Sequence, residues 1–237
     1  MKMEKLKNYG KSLLEMMGSV PQEIQKEISD SNFNIIEKHL NPDDLKRFTV
    51  SLEVEKEKML KKNLSTVSEK GLNNKEFINQ QIEWAVSFST VSTIIGGEKT
   101  IKMFREITEQ TYPKLFFHMF PTPENLNEFD DPFNAFKEWF LAMMEVNKNV
   151  GLFDYKVVEN TGDAFQMDCI WCAWHETYKQ LGAEEACIPV CHSDDAFYPD
   201  YFQQTGIEYK RTKTLGWGNA CCDFRFERSV KGSDRSF

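Results

Sequence analysis

The stretch "LFDYKVVENTGDAFQMDCI", residues Leu152–Ile170, decides how the chain folds. Its hydrophobic positions alternate: Phe153, Tyr155 and Val157 are separated by Asp154 and Lys156, and Phe165, Met167 and Cys169 by Gln166 and Asp168. A period of two marks a half-buried strand, because successive side chains point to opposite faces of a sheet. The turn residues Thr161, Gly162 and Asp163 between the two runs predict a β-hairpin.

Upstream the period is helical. "DDPFNAFKEWFLAMMEVNKNVG" has Asp131 as cap, Pro132 in the first position, a stripe of Phe133, Phe136, Phe140 and Met143, and Gly151 as stop. The Phe/Met stripe reads as core. Trp84, Phe88, Val91 and Ile95 form a second stripe that ends at Gly96-Gly97, and Asn41-Pro42 opens a third, highly charged helix. Pro113 marks a break or kink in the helix carrying Ile101, Phe104 and Ile107. "PTPENLNEFDDP" is the best internal linker or a simple joint between helices.

Downstream, "WCAWHETYKQLG" returns to a helix, and "CIPVCHSDDAFYPDYFQQTG" reads as a loop with at most a short helix. "IEYKRTKTL" and "CCDFRFER" predict a second hairpin around "GWGNA". The expected class is α+β, with a helical N-terminal half packed on a small, mostly antiparallel sheet of about four strands. Residues 1–150 form the helical region and 151–237 the α+β region, within one continuous globular unit.

The composition narrows the partners. Hydrophobic residues make up 41% of 237, including 19 Phe, enough for a substantial core. A net charge of -8 disfavours nucleic acid and anionic membranes, which leaves a small molecule as the expected partner. The aromatic helices also allow a homodimer. The start "MKMEKLKNYG" lacks a signal-peptide apolar run, which predicts a cytoplasmic protein with reduced thiols.

All six cysteines lie between positions 169 and 222, with His175 and His192 among them. Cys169, Cys172 and His175 follow a Cys-x2-Cys-x2-His spacing. Together with Cys191 they are the candidate ligands if a divalent metal binds, although no cofactor is predicted. Buried thiols or a metal-free site account for the same residues. Cys222 shares a strand face with Phe224 and Phe226, which is the core face. In "PVCHSDD", Cys191 is a candidate nucleophile, since a neighbouring base or cation favours thiolate. His192 and His175 are equal candidates for the base, with Asp194 to orient it. Arg211 suits bidentate capture of a carboxylate, while ordinary surface charge would give the same spacing.

The string "CIPVCHSDD" followed by "YKRTKTLGWGNACCDFRF" resembles the L-2-amino-thiazoline-4-carboxylic acid hydrolase family. The pattern is carried by Arg211, Thr212, Thr214, Leu215, Gly216, Gly218, Cys222, Asp223, Phe224 and Phe226, mainly within 150–228. The resemblance implies a hydrolase that opens a cyclic amidine or thiazoline carboxylate to a carbamoyl-cysteine. Cys191, His192, His175, Asp194 and Cys169 are then the catalytic candidates, and Arg211, Thr212 and Cys222 the substrate-binding ones. The hairpin is also loosely similar to ligand-binding domains of the 4-vinyl reductase type, which implies a non-catalytic small-ligand or metal-binding module. A thiol-dependent enzyme acting on another sulfur compound would use the same residues.

Overall fold

The computed structural model describes residues 3–229. The helices are α1 (Leu13–Gly18), α2 (Gln22–His39), α3 (Pro42–Met59), α4 (Ser65–Glu69), α5 (Lys75–Ile95), α6 (Gly97–Met119), α7 (Pro123–Asn127) and α8 (Pro132–Asn149). Strands β1 (Phe153–Asn160) and β2 (Ala164–Cys172) follow, then α9 (Ala173–Leu181), α10 (Cys187–Tyr201), β3 (Ile207–Lys210) and β4 (Cys222–Arg228). The four strands form one antiparallel sheet in the order β1-β2-β4-β3, so the class is α+β.

Local chemistry explains the helix starts. The Asn41 side chain accepts from the Asp44 amide at 2.9 Å, and the Asp131 side chain accepts from the Asn134 amide at 3.0 Å. In each case a proline follows the cap, where its missing N–H has no partner to lose.

The inner face of the sheet packs on α8. The register sets Phe165 opposite Phe226 and Cys169 opposite Cys222. Phe226 meets Phe136 and Phe140 at ring distances of 4.9 and 5.2 Å, so the alternating run and the helical stripe close one aromatic core. The outer face is ionic: Arg225 donates to Glu159 at 2.7 Å and to Gln166 at 3.0 Å. Among the described residues no helix is long and apolar enough to cross a membrane.

Three expectations are corrected. Residues 187–201 form one continuous helix, α10, rather than a loop with at most a short helix. Pro189 lies in its first turn, where backbone N–H groups lack intrahelical acceptors, so the proline breaks nothing. Helix α6 runs unbroken through Pro113 to Met119, held by its packing against α10 and α2. Strand β3 stops at Lys210, because the chain from Arg211 bends into a connection that contains a 3-10 turn, Leu215–Trp217.

One irregularity aims the sulfurs. Tyr155 pairs with Cys169 and Asp154 with Trp171, so Ile170 is an extra residue in β2. Residues three apart on a regular strand face opposite sides. The bulge at Ile170 shifts that alternation, and both Cys169 and Cys172 border the same cavity.

Candidate active site

Helix α10 carries the chemistry along one face. Cys187, Cys191, Asp194 and Tyr198 recur at steps of four, three and four, and all border a cavity of about 370 Å³. Cys169 and Cys172 from β2 and Cys222 from β4 join them, so five of the six cysteines line one hollow. Cys221 stands outside it, beside Asp168.

Cys191 differs from the other thiols. The Cys187 thiol, 3.7 Å away, and the Cys222 thiol both donate to its sulfur and lower its pKa. Burial opposes them, while the Arg211 charge and the Gly216 amide add to the lowering. The cost falls on the donors, and Cys187 and Cys222 are held well above the usual thiol range. Burial likewise raises Cys169 and pushes Cys172 up to about 12. Of the five cysteines that border the cavity, Cys191 is the one whose surroundings favour the anionic form.

The glycine of the connecting turn makes that contact available. A Cβ on Gly216 would stand 2.9 Å from the Cys191 sulfur and 3.3 Å from the Cys187 carbonyl. Only a residue without a side chain brings its amide this close. Gly218 has a different reason: with φ at +76° it ends the 3-10 turn in a left-handed conformation.

Arg211 ties the turn to α10. Its side chain is 1% exposed, and it donates to Asp194 at 2.8 Å, to Asp195 at 2.7 Å and to the Cys191 carbonyl. The guanidinium lies over the Phe224 ring at 5.3 Å. Its Nε is buried without a protein partner. Burial pushes the Asp194 carboxyl up to about 7; Arg211 pulls it down, and Cys191 and Asp195 push it further up. A carboxyl titrating near neutrality thus sits one helical turn from Cys191.

The structure brings together Cys169, Cys191, Asp194, Arg211 and Cys222. It does not bring in the other three sequence candidates. His192 lies about 100° around the helix from Cys191. It faces α6, with Glu109 at 2.6 Å and Arg105 at 3.1 Å. His175 does not line the cavity. Cys172 has an extended backbone, so the helical i, i+3 relation expected between it and His175 does not apply. Thr212 is a staple: its hydroxyl and amide donate to Asp223 at 2.6 and 2.9 Å and hold the turn to β4. Among the described residues no three His, Cys, Asp or Glu side chains group as a metal site requires.

The sequence reading missed the remaining walls. Phe140 and Met143, taken as core, are core on one side and cavity lining on the other. Leu13, Met17 and Ile28 line it from α1 and α2. Helical periodicity marks a buried face but not whether that face meets protein or an open space.

No curated protein and no solved structure matches the chain at a significant level. The family described as L-2-amino-thiazoline-4-carboxylic acid hydrolase has a model that matches residues 85–226, from α5 to β4. That span covers more than half of the 237 residues and takes in Cys191, Asp194, Arg211 and Gly216; the chain belongs to this family.

Proposed function

We propose that the protein is a thiol hydrolase that opens a 2-aminothiazoline-4-carboxylate-like ring to a carbamoyl-cysteine-type product. The observation that carries this reading is the Cys191 sulfur on the cavity wall, 3.7 Å from Cys187 and one helical turn from Asp194, in surroundings that favour the thiolate.

In such a ring, the carbon bonded to sulfur and two nitrogens is electrophilic, more so when the amidine is protonated. Cys191 thiolate attacks that carbon and forms a carbon–sulfur bond. The ring carbon–sulfur bond then breaks, and protonated Asp194 gives its proton to the departing sulfur. Asp194, now a carboxylate, takes a proton from water as the water oxygen adds to the same carbon. The Cys191 sulfur leaves with its electron pair, and a carbamoyl group remains. One water is consumed and no redox change occurs. Asp194 thus takes the proton-transfer role that the sequence reading gave to His192 or His175. Arg211 positions Asp194 and Cys191 through its hydrogen bonds to the Asp194 carboxyl and the Cys191 carbonyl.

The test is alkylation by iodoacetamide across pH, read by peptide mass. Cys191 should react first, with a midpoint well below about 8.5, and Cys191→Ala should abolish turnover of 2-aminothiazoline-4-carboxylate. Uniformly inert thiols together with full turnover by Cys191→Ala would remove the thiol mechanism. The predominantly apolar lining favours a second reading, a small-ligand module without catalysis; tight ligand binding with no turnover by the intact protein would select it.

A further inference from the structure

The cavity exceeds what the reacting ring requires. A cavity of roughly 150 Å³ holds a benzene ring, comparable in size with an aminothiazoline. The volume here is about 370 Å³. The sulfur atoms, Asp194 and Arg211 come from β2, α10, the turn and β4, whereas Leu13, Phe116, Met119, Met143 and Met144 come from α1, α6 and α8. Polar Asn32, Gln80, Gln81 and Thr111 also line the helical side, but the surplus space borders mostly hydrocarbon and thioether, which favour an apolar group removed from water and adapt to its shape. Leu13 and Ile28 precede the residues that the family model matches, whereas Phe116, Met119, Met143 and Met144 lie within them.

We infer that the substrate of this chain carries an aliphatic tail on its amidine head, the head lying against Cys191 and Asp194 and the tail among the Met and Phe side chains of α6 and α8. This rests on the head-group assignment made above and adds the class of molecule that the site selects.

The test is calorimetric titration of the intact protein with acetamidine, hexanamidine and decanamidine, planar amidinium probes that differ only in tail length. Affinity should rise by about fourfold per methylene until the space is filled. Ile28→Trp and, separately, Leu13→Trp narrow the apolar end, since both residues line the cavity, and both are only half-buried, which limits strain on the packing around them. Each should weaken decanamidine by about tenfold or more while acetamidine changes by less than about twofold. An affinity independent of length, or equal weakening of all three probes in both variants with circular dichroism unchanged, would overturn the inference. Turnover of 2-aminothiazoline-4-carboxylate by Cys191→Ala is read separately. Tail-dependent binding with undiminished turnover would discard the thiol mechanism and keep the tail, and a flat series with a dead variant would do the reverse.

Discussion

Gly216 and Cys191 are so close that a methyl group on the first would stand 2.9 Å from the sulfur of the second. Real Cβ atoms do not sit at that separation, so Gly216→Ala must push the turn away from α10. The amide then no longer supports the thiolate, and Arg211, in the same connection, moves with it. Turnover should fall by about a hundredfold, as displacement of reacting groups by an ångström does. The alkylation midpoint of Cys191 should rise. An unchanged midpoint would show that the amide contributes nothing to the thiolate.

The pH profile follows from Asp194. As a proton donor it is competent below about 7, where burial holds its carboxyl, so turnover should decline as pH rises through that value. Thiolate formation by Cys191 sets the acid limb, and Asp194→Asn should remove the alkaline one with most of the rate. Stability has the same sign. The folded carboxyl titrates at about 7, while an unfolded Asp titrates near 3.9. The folded state therefore binds more protons between those values. This contribution is complete below about 4 and disappears as pH rises through about 7. Urea midpoints measured from pH 5 to pH 8 should fall in the native chain and fall less in Asp194→Asn.

Arg211→Ala leaves Asp194, Asp195 and Cys191 without their shared cation. Removing one partner of a buried pair should cost about 3 kcal/mol, read from urea denaturation. Arg211→Lys keeps the charge but not the fork that reaches Asp194 and Asp195 together, and should recover less than half of the loss. Full recovery by lysine would mean that charge alone matters.

His192 should be dispensable for the chemistry despite adjoining Cys191. It lies on the α6 side, where its partner Glu109 is 49% exposed, and such a pair is worth no more than about 1 kcal/mol. His192→Ala should keep turnover and the Cys191 alkylation profile within about twofold of the native protein. A large loss would restore the base role that adjacency suggests.

Much of the architecture is legible in the residues themselves. Phe133, Phe136, Phe140 and Met143 repeat as a helix, Phe165, Met167 and Cys169 alternate as a strand, and both faces are buried as the patterns demand. Segment 187–201 was obscured because two prolines and a run of polar residues signal a loop, although Pro189 falls in the first turn of the helix and Pro199 in the last. Placing the site demanded more than pattern. Cys191 and His192 are neighbours in sequence yet point apart, since a helix rotates them. Cys169 and Cys172 share the cavity only because Ile170 bulges, and no alternation rule announces an inserted residue. The partnership of Arg211 with Asp194 spans elements, as does that of Gly216 with Cys191.

The hollow is assembled from two stretches of chain with separate duties. Residues up to Phe153 supply most of its apolar breadth, with Met167, Trp174, Val190 and Phe224 adding to it, and every atom proposed to make or break a bond comes from Cys169 onward. A change at Leu13, Ile28 or Met144 would therefore retune which molecules enter without disturbing how they react. Such a chain is open to stepwise drift toward new substrates, one half exploring while the other stays competent.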